Sequence, residues 1–282
     1  MSVTIRDLQK FKADGRRFTM LTAYDYPVAR IIDEAGVPVI LVGDSVANTV
    51  LGYPDTIPVT MDEMLHHCRA VRRGVTNALL VGDMPFMSYQ VSLEDGVRNA
   101  GRFLKEAGVN AVKLEGPEVE LTARLTQLGI PVMAHVGLTP QSVNQMGGYR
   151  VQGKSDDSAE RIEREALALQ QAGAFAIVLE GVPSDLGRHL TELLAIPTIG
   201  IGAGPHTDAQ VLVIWDMLGL TDRVAKFVKK YANLREEIIG AVGAFVAEVE
   251  SGAFPDEHHS YSGGKVYGAA EPPSRPVEAV TR

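Results

Sequence analysis

Eight short apolar runs, separated by amphipathic stretches, constrain the fold of this chain more than any other feature. A short run of Val, Ile and Leu without polar alternation is typical of a parallel strand covered on both faces. Eight such strands that alternate with helices predict an α/β fold, a single-domain (β/α)8 TIM barrel. The runs lie at Phe18 to Tyr24, Pro38 to Asp44, Ala78 to Asp83, Ala111 to Glu115, Pro131 to His135, Phe175 to Glu180, Pro197 to Ile201 and Val211 to Trp215.

The stretches between the runs carry helix stop signals. A glycine just past the last periodic residue is the usual left-handed end of a helix. The connection from 202 to 210, between the seventh and eighth runs, is too short for a full crossover helix. Four predicted helices that are each followed by a glycine are Tyr26 to Ala35, Met61 to Arg73, Leu93 to Ala107 and Ser158 to Ala172.

Length and composition limit the domain count and the class of partner. With 282 residues and 45% apolar content, the chain accommodates one barrel of roughly 250 residues and a tail. We assign residues 1–254 to the catalytic barrel and 255–282, rich in Pro, Gly, Ser and His, to a C-terminal tail that we expect to be mobile. The single cysteine, Cys68, excludes an internal disulfide and favours a cytoplasmic protein. A net charge of -8, without a basic stripe or a long apolar segment, argues against nucleic acid and membrane partners.

Three carboxylates follow three of the predicted strands. Asp44 and Asp83 each come after Val-Gly, and Glu115 ends the fourth run. Barrel enzymes keep their chemistry at the carboxyl ends of the strands, so these acids indicate one site, although each acid would also serve to cap the next helix. Carboxylates without several Cys or His partners suit a hard cation such as Mg²⁺.

Side-chain alternation adds basic and acidic groups to this site. Lys113 and Glu115 share a face of their strand, and His135 and Glu180 end strands of their own. We therefore expect all four at the barrel mouth with the other acids. Lys113 has two candidate uses, as a charge partner in a metal site or as a Schiff-base nucleophile towards a carbonyl substrate, and both stay open.

Three connections on this side of the barrel need separate interpretation. The loops at 46–60 and 136–157 are longer than usual and are interpreted as substrate-covering loops, with subunit contact or plain irregular structure as the alternatives. The glycines at 200, 202 and 204 lack the spacing of a dinucleotide-binding loop, so they predict a tight backbone turn.

Seven segments, in order, resemble the ketopantoate hydroxymethyltransferase family over residues 3 to about 261. The chain departs from the family at Gly181, where some relatives have cysteine, at Ala209, where many have glycine, and in its longer tail. None of these departures falls on an acid of the site. The segments are LTAYDY at 21–26, VGDS at 42–45, VKLEG at 112–116, MAHVG at 133–137, LTPQSVN at 138–144, GGYRVQG at 147–153 and IGIGAG at 199–204.

The resemblance implies a cytoplasmic, Mg²⁺-dependent hydroxymethyltransferase of pantothenate (coenzyme A) biosynthesis. Such an enzyme moves a hydroxymethyl group from its co-substrate 5,10-methylenetetrahydrofolate to 3-methyl-2-oxobutanoate, which gives 2-dehydropantoate through a Mg²⁺-stabilised enolate. The resemblance also implies that the protein acts on small-molecule substrates. It further implies a homo-oligomer, specifically a homodecamer. Two rivals are a phosphoenolpyruvate mutase or isocitrate lyase relative and a catalytically silent barrel.

The family's functional positions fall on seven residues of this chain. The metal ligands implied by the resemblance are Asp44, Asp83 and Glu115. The implied general base, which removes the proton from C3 of the substrate, is Glu180. The implied substrate contacts are Asp44, Ser45, Asp83, Lys113 and His135.

Overall fold

The computed structural model describes residues 2–222 and 224–263 of the chain. The described residues up to Asn233 form one compact unit, and those from Leu234 form a second unit, which is treated by itself. Most of the predicted tail lies outside the described residues, so both its mobility and the predicted boundary at residue 254 stay predictions.

Eight parallel strands close into a barrel in sequence order, which confirms the predicted fold. Each strand pairs with the next, and the eighth pairs with the first. Parallel neighbours need long crossovers, and helices supply most of them. The strands are β1 (Phe18–Thr22), β2 (Val39–Val42), β3 (Leu79–Asp83), β4 (Ala111–Lys113), β5 (Val132–Gly137), β6 (Ala176–Glu180), β7 (Thr198–Ile201) and β8 (Ala209–Leu212).

The helices begin where side-chain caps satisfy their first amide groups. Thr60, for example, accepts a hydrogen bond from the backbone amide of Glu63, whose carboxylate accepts one from the amide of Thr60. A short 3₁₀ turn, Pro140–Ser142, precedes the seventh helix. Across the described residues the helices are α1 (Ile5–Ala13), α2 (Tyr26–Glu34), α3 (Val46–Thr49), α4 (Met61–Gly74), α5 (Leu93–Ala107), α6 (Val119–Gln127), α7 (Val143–Met146), α8 (Asp156–Gln171), α9 (Ser184–Leu193), α10 (Ile214–Met217) and α11 (Leu234–Ser251).

One predicted helix stop is wrong. The glycines at 36, 108 and 173 adopt positive φ after their helices, as predicted. Gly74 instead is the last residue of α4, and the helix ends at Val75 in an extended conformation. A Cβ atom at Gly74 would lie 2.7 Å from the carbonyl oxygen of Tyr26 at the start of α2. The glycine therefore serves close helix–helix packing rather than a left-handed turn.

The eighth strand begins and ends earlier than predicted. Asp208, just before it, accepts hydrogen bonds from the amide of Thr198 and the ammonium of Lys12, which fix the chain beside β7. The strand ends at Leu212. At the start of α10, the backbone amide of Ile214 donates a hydrogen bond to the hydroxyl of Thr22 in β1. The predicted run from Val211 to Trp215 thus combined the end of β8 with a helical turn.

Alternating side chains fill the barrel and carry the site at its top. The interior cluster includes Val81 of β3, Ala111 of β4 and Val178 of β6. Two residues further along the same strands are Asp83, Lys113 and Glu180, which face the same side. The interior is therefore apolar below and ionisable at the carboxyl ends of the strands.

A buried carboxylate in α2 organises the entry to β3. Asp33 accepts hydrogen bonds from the backbone amides of Thr76, Asn77 and Ala78 at 3.1, 3.0 and 2.7 Å. Burial opposes ionisation, but these donors outweigh it and lower the pKa of the Asp33 carboxyl below its usual value. The charged form of Asp33 thus stabilises the connection between α4 and β3.

We expect Asp33→Asn to lower the free energy of unfolding by about 3 kcal/mol at pH 7, because an amide nitrogen would face backbone donors. The folded-state pKa is depressed, so this contribution is present above the unfolded value of about 3.9 and is lost as pH falls through the folded value. Urea unfolding of both proteins at several pH values measures this. The exposed neighbour Glu34, changed to Gln, is the control, and an equal loss in that variant would contradict the assignment.

The second unit contains α11, none of whose residues is buried. Its exposed apolar side chains are Ile238, Ile239, Val242, Phe245, Val246 and Val249. Among the described residues, no helix is both long and apolar enough to cross a membrane.

Candidate active site at the barrel mouth

Three buried carboxylates meet at the carboxyl ends of β2, β3 and β4. Asp44 follows β2 by two residues, Asp83 ends β3, and Glu115 follows β4 by two residues. Their side chains lie close enough that one oxygen from each is within 4.8 Å of the others. The residues are at most 5% exposed, so the structure brings together the three acids that the sequence analysis placed in one site.

The glycines before the two aspartates have different surroundings. A Cβ atom at Gly82 would lie 2.5 Å from the ring of Phe103 on α5, and one at Gly43 would lie 2.9 Å from the hydroxyl oxygen of Ser45. Close packing thus accounts for the glycine at position 82, whereas at position 43 the Ser45 hydroxyl is the end of a flexible side chain that can rotate.

Helix capping, the alternative use of these acids, is not observed. The helices that follow β2, β3 and β4 have Ser45, Ser92 and Glu118 at their N-cap positions. The three carboxylates are therefore available to the site.

Lys113 forms a buried ion pair with Asp83. Its Nζ atom lies 2.7 and 2.8 Å from the two oxygens of Asp83, its register partner on β3, and 3.4 Å from Glu115 Oε1. Burial disfavours the charged ammonium, but the surrounding carboxylates outweigh it and raise the pKa of Lys113. A protonated amine cannot attack a carbonyl, so this geometry favours the charge-partner use of Lys113 over the Schiff base.

His135 lies between two carboxylates. Its Nδ1 atom is 3.4 Å from Glu115 Oε1, and its Nε2 atom is 3.3 Å from Glu180 Oε2. These are ion-pair distances, but neither contact has hydrogen-bonding geometry within the described protein. Burial lowers the pKa of His135, and the two carboxylates outweigh it and raise the pKa to about 9. The two carboxylates therefore favour the cationic imidazole, and both ring nitrogens retain hydrogen-bonding capacity.

The carboxylates carry more negative charge than their cationic neighbours offset. Burial, followed by repulsion from Asp83 and Glu115, raises the pKa of Asp44 well above its usual value. Burial also raises the pKa of Asp83 despite the ammonium beside it. For Glu115 the effect of burial is outweighed by Lys113 and His135, which lower its pKa to about 2. A divalent cation would supply the missing charge, and a set of oxygen donors fits Mg²⁺.

A cavity of about 330 Å³ opens onto these groups, and both long connections contribute to its wall. Asn48 and Thr56 come from the connection after β2, and Pro140 and Tyr149 come from the connection after β5. Two larger cavities elsewhere on the described part of the chain are lined by none of the three acids. Neither connection is structureless, since the first includes α3 and the second includes α7. The wall they form supports their interpretation as substrate-covering loops.

The structure also places the predicted glycine turn after β7 and Ser45, the last of the predicted substrate contacts. Gly202 and Gly204 adopt φ values of 64° and 80°, which confirms the tight turn after β7. Ser45 lies at the cavity wall, and its hydroxyl is 2.8 Å from the phenol oxygen of Tyr24.

Sequence reasoning missed two buried residues beside the carboxylates. Gln141 donates a hydrogen bond to Asp44, and Tyr89 contacts the backbone of Glu115. Gln141 lies within the family-like segment 138–144, but its residue type and spacing gave no sign of a role. Tyr89 lies in an irregular loop after β3, and only the fold brings it to the site.

The fold and site define a (β/α)8-barrel protein with a buried acidic site at the carboxyl ends of its strands. Residues 2–257 match the family model described as ketopantoate hydroxymethyltransferase. A relative from Syntrophus aciditrophicus (strain SB), named 3-methyl-2-oxobutanoate hydroxymethyltransferase, is 56% identical over 262 residues, which cover 92% of this chain and 96% of the relative. A relative of the same name from Thermobifida fusca (strain YX) is 55% identical, with 92% and 94% coverage. The chain belongs to the ketopantoate hydroxymethyltransferase family.

Solved structures of more distant proteins share the barrel. A phosphonopyruvate hydrolase complex with oxalate and Mg²⁺ superposes with a TM-score of 0.60 at 16% identity, over 91% of this chain and 93% of that one. A 2,3-dimethylmalate lyase, described as a PEP mutase/isocitrate lyase superfamily member, also gives 0.60 at 16%, over 92% and 89%. At this identity the likeness extends to the fold alone, so it gives no functional support to the rival interpretation.

Proposed function

We propose that this protein transfers a hydroxymethyl group to 3-methyl-2-oxobutanoate and forms 2-dehydropantoate for pantothenate synthesis. The carbon of that group comes from 5,10-methylenetetrahydrofolate and its oxygen from water, and tetrahydrofolate is released. The observation that carries the proposal is the convergence of Asp44, Asp83 and Glu115 with Lys113 and His135 on one cavity. Relatives with more than half of their residues identical bear the name of this reaction's enzyme.

The carboxylates of Asp44, Asp83 and Glu115 would hold Mg²⁺, which supplies a positive charge that stabilises the enolate of the substrate. The ammonium of Lys113 and the imidazolium of His135 provide further positive charge for an anionic α-oxo acid. Ser45 adds a hydroxyl at the cavity wall. These groups bind and orient the substrate with its C3 atom open to a base.

Glu180 is the proposed base. Its side chain is 16% exposed, compared with 1% for His135, and it lines the same cavity from the end of β6. The carboxylates beside His135 raise the pKa of its imidazole and favour the cationic form, which makes it a poorer proton acceptor than the adjacent Glu180 carboxylate, 3.3 Å away.

Proton exchange at C3 tests the proposal directly. We expect the protein with Mg²⁺ to exchange the C3 proton of 3-methyl-2-oxobutanoate for deuterium without the folate, and to form 2-dehydropantoate only when the folate is added. NMR follows both reactions in the same sample. A protein that binds the oxo acid without exchange or product, as a catalytically silent barrel would, contradicts the proposal.

We also propose that the chain is cytoplasmic and assembles into a homodecamer, as the family resemblance implies. Within its own unit, α11 leaves a row of apolar side chains exposed, including Phe245 and Val246. Contact of such a row with water is unfavourable, which supports its burial against another surface.

A further inference from the structure

One residue outside the expected site residues connects two of the three carboxylates, through its backbone amide and its side chain. The backbone amide of Gln141 donates to Glu115 Oε2 at 3.0 Å, and its side-chain Nε2 donates to Asp44 Oδ2, also at 3.0 Å. Gln141 is 4% exposed and lies in the 3₁₀ turn after β5. The connection that covers the site is thus hydrogen-bonded to acids at the ends of β2 and β4.

The orientation of the Gln141 amide is fixed by its neighbours. Nε2 also faces the carbonyl oxygen of Met84 at 2.9 Å, an atom that only accepts. Oε1 faces the hydroxyl of Tyr89 at 2.7 Å and the side-chain nitrogen of Gln90 at 3.2 Å. Both amide protons and both lone pairs of the oxygen are used, so a flipped amide would face Met84 and Asp44 with an acceptor.

The same logic fixes the proton of Tyr89. Because Gln141 Oε1 only accepts, the Tyr89 hydroxyl donates to it and has no second proton for the carbonyl oxygen of Glu115. The hydroxyl oxygen instead accepts from the backbone amide of Glu115 at 3.1 Å. A chain of hydrogen bonds therefore leads from the backbone of Glu115 through Tyr89 and Gln141 to the carboxylate of Asp44.

We infer that Gln141 is a positioning residue that holds Asp44 and Glu115 in the orientation a divalent cation requires, with Tyr89 fixing the Gln141 amide. One oxygen of each carboxylate is hydrogen-bonded to Gln141, which restricts rotation of both groups without adding charge. Such partners commonly change metal affinity roughly 10- to 100-fold when removed. The inference rests on the proposed function, since it needs the three acids to bind a cation.

Titration of the full-length protein with Mn²⁺, followed by electron paramagnetic resonance, tests this inference without measuring activity. We expect Gln141→Met to raise the dissociation constant roughly 10- to 100-fold. We expect Tyr89→Phe, which removes one oxygen atom and leaves both direct bonds to the carboxylates, to raise it by less. Gln152→Met is the matched control, because Gln152 lies in the same connection and its side chain donates to the backbone carbonyl oxygen of Arg150 rather than to Gln141 or a carboxylate. The Mn²⁺ affinity of this variant should equal that of the wild type.

Unchanged Mn²⁺ affinity in Gln141→Met overturns the inference, even if that variant melts at a lower temperature, since packing alone would then explain the residue. Should Gln141→Met not fold, Tyr89→Phe decides, and wild-type affinity there overturns the inference. Failure of the wild-type protein itself to bind Mn²⁺ would instead remove the proposed metal site on which the inference depends.

Discussion

A Glu180→Gln variant should bind Mg²⁺ and 3-methyl-2-oxobutanoate as the wild type does, while C3 proton exchange falls by roughly 10²-fold or more. The amide keeps the size of the side chain and removes its basicity, and general bases contribute on this scale. Glu180 ends β6 and belongs to none of the three strands that carry the carboxylate cluster, so metal binding should survive. Calorimetric titration beside the NMR exchange assay separates the two effects.

The matched control is Glu163→Gln on α8, where the lost carboxylate contacts His189 at the surface. That variant should exchange the C3 proton at the wild-type rate. Normal exchange in Glu180→Gln, or loss of metal binding there, would place the base elsewhere. His135 would then be the next candidate, in a state with less positive charge than its contacts with Glu115 and Glu180 favour.

Removal of divalent metal should abolish turnover, and added Mg²⁺ should restore it. The carboxylates of the site would remain, but no cation would offset the charge that develops on the substrate.

Asp83→Asn should weaken metal and substrate binding together, because this side chain is a proposed metal ligand and also neutralises Lys113 at 2.7 Å. Activity before and after chelation, and calorimetry of the variant, give the comparison.

The Schiff-base alternative predicts the opposite result. A metal-stripped enzyme would then keep full activity, and borohydride added with the substrate would label Lys113, as mass spectrometry would detect. The two short contacts between the Lys113 ammonium and Asp83 argue against that outcome, because an imine requires the neutral amine.

Period-two alternation explains why so much of the site was predictable. Once β4 was recognised as a strand, Lys113 and Glu115 had to share a face, and His135 and Glu180 followed from β5 and β6 in the same way. Local signals were less reliable where tertiary contacts decide the structure. Gly74 looked like a helix stop but permits close approach to α2, and the end of β8 depends on a hydrogen bond to Thr22.

The residues that connect the carboxylates were beyond prediction for a different reason. Gln141 and Asp44 are 97 residues apart, and Tyr89 reaches Gln141 across 52 residues. Neither Gln nor Tyr in an irregular segment indicates chemistry, and their partners become known only when the loops after β3 and β5 are placed. The three acids could be predicted from their residue type and position at strand ends. The residues that hydrogen-bond to them could be found only in the folded structure.

The pairing of Asp83 with Lys113 makes enzyme activity a reporter of how the barrel is assembled. These residues are direct neighbours in the β3–β4 ladder, so their ion pair exists only in one alignment of the two strands. A shift of β4 by one residue would turn the ammonium towards the helices and bring an apolar side chain to the mouth. A variant with an insertion within β4 would therefore be inactive even if it folded. Restored turnover in such a variant would show that the original alignment of the two strands had been recovered.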